Sequence, residues 1–211
     1  MTDPDRIAAY DAAAPPPDET ETATFALGCF WGPDATFGAL DGVARTRVGY
    51  AGGATDAPTY HDLGDHSEAV QVDYDPERFS FGEVVDFAIE NHSVRTQPRD
   101  RQYQHVLFYE SPEQRAVIEK RLDALAVDEV RTRVEALDAF HPAESYHQKY
   151  HLRSKRAILS DFEEAGYDAT AIRESPAAAK LNAEAGGYDR SDGTGRLDPL
   201  AASSSGAAQS E

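Results

Sequence analysis

Between residues 22 and 150 the chain alternates strand-sized with helix-sized segments, punctuated by prolines and glycines, and few folds accept that order. Residues 22–28 set small or polar side chains against Phe25 and Leu27, the alternation of a half-buried strand. Pro33 suits a first helical turn, which predicts a short helix reaching Leu40. Residues 43–50 read as a second strand, and a loop with Gly52, Gly53 and Pro58 follows. A third strand spans 68–74 and is stopped by Asp75-Pro76. In 79–91, Phe81, Val84, Val85 and Ala88 recur at helical spacing. A strand at 106–109 precedes a helix opened by Ser111-Pro112-Glu113 and ending near Ala126. Residues 130–137 form a further strand, and Pro142 opens another helix. The mixture predicts an α+β fold, a mixed β-sheet with packed helices in a two-layer sandwich.

The ends differ from this middle. Residues 1–21 are rich in Ala, Pro and Asp, and Pro15-Pro16-Pro17 excludes helix and strand ladders, which predicts a disordered N-terminal tail. A catalytic domain is expected over 22–175, and a low-complexity tail over 176–211 that turns to Gly, Ser, Ala and Asp from about Leu181. Both tails are expected to be flexible and acidic.

Charge narrows the partners. The chain holds 38 Asp and Glu against 20 Lys and Arg, a net charge of −18. Such a surface repels nucleic-acid phosphates and anionic lipid heads, so neither nucleic acid nor a membrane is an expected partner. Lys120, Lys149, Lys155 and Lys180 are its only lysines, a bias that suits a halophilic, high-salt cytoplasm. No stretch approaches the roughly 18 apolar residues that a spanning helix needs. The first residues lack the basic and apolar blocks of a signal peptide. One cysteine cannot form an internal disulfide, which fits a reducing interior and predicts a cytoplasmic location.

That cysteine, Cys29, falls where the first strand ends and a helix starts, in Gly28-Cys29-Phe30-Trp31-Gly32-Pro33. Period-two counting puts it on the strand face of Phe25 and Leu27. Unpaired amides at a helix N-terminus favour a thiolate, whereas Asp34 in the same turn opposes it. A lone cysteine is also an ordinary small hydrophobe of the core. The neighbouring Phe30 and Trp31 weigh the other way, because two large aromatics beside a nucleophile can wall a pocket for a methyl group.

The run Gly28-Cys29-Phe30-Trp31-Gly32 resembles the active-site signature of the A-type peptide-methionine (S)-sulfoxide reductases. The resemblance continues through Val48-Gly49-Tyr50-Ala51-Gly52-Gly53, Pro58-Thr59-Tyr60, His66-Ser67-Glu68, Gln102-Tyr103 and Pro142-Ala143-Glu144-Ser145-Tyr146-His147-Gln148. It implies Cys29 as nucleophile and Phe30 with Trp31 as the pocket for the sulfoxide methyl. It further implies Glu68 as the acid that protonates the sulfoxide oxygen, with Tyr60 and Tyr103 as phenols bonded to that oxygen. The substrate implied is methionine sulfoxide, free or in proteins, and the S epimer. The reductant implied is a thioredoxin-like protein or a small-molecule thiol, since no second cysteine can resolve a sulfenic acid on Cys29. The loops 60–68 and 92–102 are shorter than the family's usual ones, and Asp100 stands near the place of its customary aspartate.

Physical reading of the strand supports the acid. Glu68 shares a face with Val70, Val72 and Tyr74, and burial of that face would raise the carboxyl towards neutrality. A solvated strand-edge position is the alternative. Glu144, His147 and His151 recur at helical spacings that could present metal ligands, yet no second ligand cluster accompanies them. They read instead as surface or helix-end histidines, with no metal expected. No nucleotide, flavin or nicotinamide site is visible, so no cofactor is expected. The competing function class is a non-catalytic redox sensor or binding module that uses Cys29 without turnover.

Overall fold

Hydrogen bonding between distant segments builds one six-stranded sheet in the computed structural model, which describes residues 2–188. Its strands are β1 (Glu21–Leu27), β2 (Val43–Ala51), β3 (Ser67–Tyr74), β4 (His105–Tyr109), β5 (Arg133–Ala136) and β6 (Phe140–Pro142). The order is β5-β4-β1-β3-β2-β6; β4 and β5 run parallel and every other pair antiparallel, so the sheet is mixed as expected. Among the described residues eight α-helices accompany it: α1 (Pro4–Ala13), α2 (Trp31–Gly38), α3 (Phe81–Glu90), α4 (Pro112–Asp123), α5 (Tyr150–Arg153), α6 (Arg156–Glu164), α7 (Ala169–Glu174) and α8 (Pro176–Gly186).

The two-residue period sorts the sheet's faces. Phe25 and Leu27 of β1, Val70, Val72 and Tyr74 of β3, and Leu107 of β4 join Val84, Val85 and Ala88 of α3 and Ile118 and Leu122 of α4 in the main core. The residues between them, Ala26, Ala69, Val106 and Phe108, occupy the opposite face with Ala51, Leu137 and Phe140. The start of α3 is fixed by a capping box, in which Ser80 and Glu83 satisfy each other's backbone amides.

Three expectations need correction. The segment 1–21 is not a disordered tail. Asp3 caps α1 by accepting from the Arg6 amide, Pro4 fills a position that needs no N–H, and Ile7 is fully buried. Nor does low complexity begin at 176. Ser175 caps α8, Gly187 closes it in the left-handed region at φ 76°, and Ala178 and Ala179 are fully buried. The two segments pack together: Ile7 meets Leu152, Phe162 and Leu181, and Asp11 accepts from the Ala177 amide at 2.7 Å and from the Tyr167 hydroxyl at 2.9 Å. Residues 189–211, the rest of the expected C-terminal tail, lie outside the described residues.

The third correction is at Pro142, which ends strand β6 rather than opening a helix. Tyr50 and His141 are register partners, and β6 is an edge strand, where proline's missing N–H costs no ladder bond. Turns then run to Lys149, a non-glycine residue at φ 53°. Gln148 takes over from the strand. Its side-chain oxygen accepts from the Val48 amide at 3.1 Å, and its amide donates to the Val48 and Ala143 carbonyls at 2.8 and 2.9 Å. Among the described residues, no helix is long and apolar enough to cross a membrane.

Candidate active site

The site forms where β1 ends, β3 begins and β2 ends, because the antiparallel register places Tyr50 opposite Glu68. β1 stops at Leu27, and Gly28 at φ 92° turns the chain out of the strand, a conformation a side chain would strain. Cys29 consequently leaves the face of Phe25 and Leu27 and stands exposed before α2, with Phe30 as that helix's N-cap.

Glu68 is 2% exposed and both its oxygens are held. The Phe30 amide donates to Oε2 at 3.0 Å and the Gln102 side-chain amide to Oε1 at 2.6 Å. Burial raises the Glu68 pKa, those two donors oppose the rise, and the nearby Asp100 charge adds to it. The strand face of Glu68 is thus buried, as the first of the two sequence readings has it, and its pKa moves upward. Cys29 feels the charge of the same carboxyl. Its pKa is raised first by burial and then by the Glu68 charge, against a lowering contact from the Trp31 amide. Helix-start amides do act on the thiol, but desolvation outweighs them. The expected opposition from Asp34 does not arise, because that carboxylate is paired inside the protein.

Both tyrosines reach the site. Tyr103 is pushed up to about 12 by burial, then by the Glu68 charge, the nearby Tyr60 phenol, and Cys29. Tyr60 comes from the loop between β2 and β3, turned by paired backbone bonds between Thr59 and Asp62 at 3.1 Å. Its amide donates to Glu144 Oε1 at 3.0 Å, while the Tyr50 hydroxyl donates to Oε2 at 2.7 Å. The 101–103 turn that carries Gln102 and Tyr103 is pinned by Arg101. Its guanidinium donates to the Asp65 and Gly52 carbonyls, both at 2.8 Å, and its own carbonyl accepts from Ser67 Oγ at 2.7 Å.

An apolar wall adjoins the thiol. Phe30 is 1% exposed and packs with Val48, Tyr50 and Ala143, with Trp31, Tyr60 and Leu63 against them. His147 lies among these rings, 4.6 Å from Tyr60 and 5.2 Å from Phe30 between centroids. It is 3% exposed and neither ring nitrogen has a hydrogen-bond partner among the described residues. Burial lowers its pKa, so the ring is neutral at pH 7.

All six sequence candidates, Cys29, Phe30, Trp31, Tyr60, Glu68 and Tyr103, thus converge. Sequence reasoning left out Glu144, which anchors Tyr50 and Tyr60, and Gln102 and Arg101, which hold Glu68 and its turn. His147 corrects the expectation of a surface or helix-end histidine. The signal for Glu144 and His147 was the Pro142–Gln148 block itself, obscured by reading it as a helix, and that for Gln102 was the Gln102-Tyr103 match. Among the described residues, no group of three His, Cys, Asp or Glu is placed to hold a metal ion.

Behind the site, the first turn of α2 rests on a buried ion pair. Lys149 Nζ lies 3.1 Å from Asp34 Oδ1, with both side chains fully buried. Thr46 Oγ1 donates to Asp34 Oδ1 at 2.5 Å, and the Lys149 amide and Asn182 Nδ2 donate to Oδ2 at 3.2 and 3.1 Å. Gly38 then allows α8 to approach α2: a Cβ there would sit 2.6 Å from the Ala179 carbonyl oxygen.

Comparison with known proteins agrees with this geometry. The sequence model of the family described as peptide methionine sulfoxide reductase matches residues 21–175. A peptide methionine sulfoxide reductase of Drosophila melanogaster is 40% identical over 166 residues, covering 76% of this chain and 66% of that protein, just under two thirds. One from Methanococcus maripaludis is 37% identical over 153 residues, covering 67% of this chain and 98% of that protein. Among solved structures, methionine sulfoxide reductase A of Corynebacterium diphtheriae superposes with a TM-score of 0.55 at 30% identity, over 65% of this chain and 76% of that one.

Proposed function

Since the chain belongs to the peptide methionine sulfoxide reductase family, we propose that it reduces methionine S-sulfoxide to methionine, with Cys29 as nucleophile and Glu68 as acid. The observation that supports this most is the Glu68 carboxyl, buried, held by the Phe30 and Gln102 donors and electrostatically coupled to the Cys29 thiol. Burial raises the pKa of both groups, which favours a proton on the thiol and makes the carboxyl a better acid. As Cys29 Sγ attacks the sulfoxide sulfur, Glu68 takes the thiol proton and delivers it to the sulfoxide oxygen. An Sγ–S bond forms as the S–O bond breaks and hydroxide leaves. Hydroxide then attacks Sγ, the Sγ–S bond breaks, methionine leaves, and the oxygen is on Cys29 as a sulfenic acid. Tyr60 and Tyr103 donate to the oxygen while negative charge develops on it, and Phe30 with Trp31 receives the methyl group.

Two equivalents of external thiol then return Cys29 to the thiol and release water as they join in a disulfide, since the chain has no second cysteine. A thioredoxin-like protein or a small-molecule thiol supplies them. Repair of oxidised methionine under oxidative stress, in a reducing and salt-rich cytoplasm, is the setting that the lone cysteine and the −18 charge suit. Substrate is methionine sulfoxide in proteins or free.

The experiment is sulfoxide turnover with each sulfur epimer. With dithiothreitol, the S epimer should be consumed catalytically and the R epimer spared. Without reductant, about one methionine should be released per Cys29, following the sulfenic-acid chemistry, and the intact mass should gain one oxygen. A redox sensor would react with peroxide and leave both sulfoxide epimers intact.

A further inference from the structure

Among the described residues only three large apolar side chains are exposed, and all three lie beside Cys29's pocket. Tyr146 is 50% exposed, Tyr150 43% and Tyr188 38%. They belong to one run of rings. Tyr146 lies 4.3 Å from His147, His147 5.8 Å from Trp31, Trp31 3.7 Å from Tyr150 in a stacked pair, Tyr150 5.7 Å from His151, and His151 5.9 Å from Tyr188. The far end returns to the signature, with the Tyr188 hydroxyl 3.6 Å from where a side chain on Gly32 would begin.

Resting on the reductase reading, we propose that this aromatic run is a docking strip for extended polypeptide, which takes the residues flanking a methionine sulfoxide and favours apolar, non-acidic ones. Three observations select that occupant. The strip is continuous with the methyl pocket through Trp31, so whatever lies on it is joined to the sulfoxide side chain. The Trp31 Nε1, both His147 nitrogens and His151 Nε2 have no hydrogen-bond partner among the described residues, and Tyr146 and Tyr150 are the rings packed against them. An unpaired buried polar group is unfavourable. A polypeptide backbone brings a carbonyl and an amide with each residue, and rotation of a half-exposed tyrosine opens the way to them. The net charge of −18 disfavours acidic flanks, while tyrosine faces attract apolar and cationic side chains.

The test compares two substrates on the full chain: N-acetyl-methionine sulfoxide amide, and a blocked pentapeptide with phenylalanine on each side of the sulfoxide. The pentapeptide should have the higher kcat/KM. Tyr146→Ala and Tyr188→Ala should each lower that value roughly 3- to 10-fold, the size of one aromatic contact, through KM. The single-residue substrate should be unaffected. Equal losses on both substrates, or no preference for the pentapeptide, would overturn the strip. A binding measurement separates this result from the chemistry. Trp31 is the only tryptophan, so its emission in the Cys29→Ser protein reports occupancy directly. Titration with the pentapeptide should change that emission, with weaker binding in the tyrosine variants. If binding follows the tyrosines while turnover is absent in the parent protein, the strip stands and the reductase reading falls. If the emission changes with protein concentration instead and ignores peptide, the strip is a contact between two copies and the proposal fails.

Discussion

The Glu68 charge raises the Cys29 pKa, whereas the thiol lowers that of Glu68, and this coupling decides how each variant behaves. Replacing Glu68 with glutamine removes the charge that helps hold the proton on sulfur while keeping an amide-sized group between Phe30 and Gln102. Alkylation of Cys29 by iodoacetamide, measured against pH, should then show its midpoint moved downward. The same variant should lose roughly 10²–10⁴-fold in the chemical step, the usual share of a positioned acid. A thiol made more reactive and an enzyme made slower is the combination expected of a proton donor; an unmoved midpoint would separate the two groups. Cys29→Ser should abolish turnover, because a hydroxyl does not match a thiolate as nucleophile at neutral pH. At this scale the sequence was highly legible. Cys29 and Glu68 announced themselves through neighbours in the chain. Glu144 and Arg101 did not, since they act through backbone groups of loops that only the fold brings near.

Elements were legible where their period was long or their caps were intact. β1, β3 and α3 were recognised as elements, and Ser111-Pro112 marks α4 as sequence suggested. But β1 is buried on both faces rather than half-buried, because its small alternate residues, Ala26 among them, face a second core. β6 was misread because three residues carry no period, and Glu144, His147 and His151 imitate a helix across turns. Composition hid α1 and α8. The alanines of α8 look like low complexity, yet the approach of Ala179 to Gly38 needs side chains that small. Two variants check these elements. Ile7→Ala should cost about 2–5 kcal/mol by opening a cavity between α1 and its partners, measured as a lower urea midpoint, whereas a free tail would show no change. Lys149→Met leaves Asp34 buried without its cation, and losses of about 3–5 kcal/mol are usual for such a break. Its unfolding curve, compared with that of the parent protein, reads the difference.

For the whole molecule, charge is the dominant unsolved load. At −18 the chain repels itself, and about 1 M salt shortens the Debye length to about 3 Å. Thermal unfolding followed from low salt to molar potassium chloride should show a steeply rising midpoint. A flat profile would retire the high-salt reading and leave the catalytic one standing. The fold class was legible as a mixed sheet with packed helices, because strand and helix lengths sort independently of contacts. The mutual packing of the chain's two ends was not, since nothing local in either segment names the other.

Asn182 and Asp34 are joined across 148 residues of sequence, and that separation sets an order of events during synthesis. Cys29 and the helix that follows it are made long before the asparagine that helps seat that helix. Until then the thiol is present while one donor behind its helix is not. A growing chain therefore carries its cysteine ahead of part of the support that holds it in place.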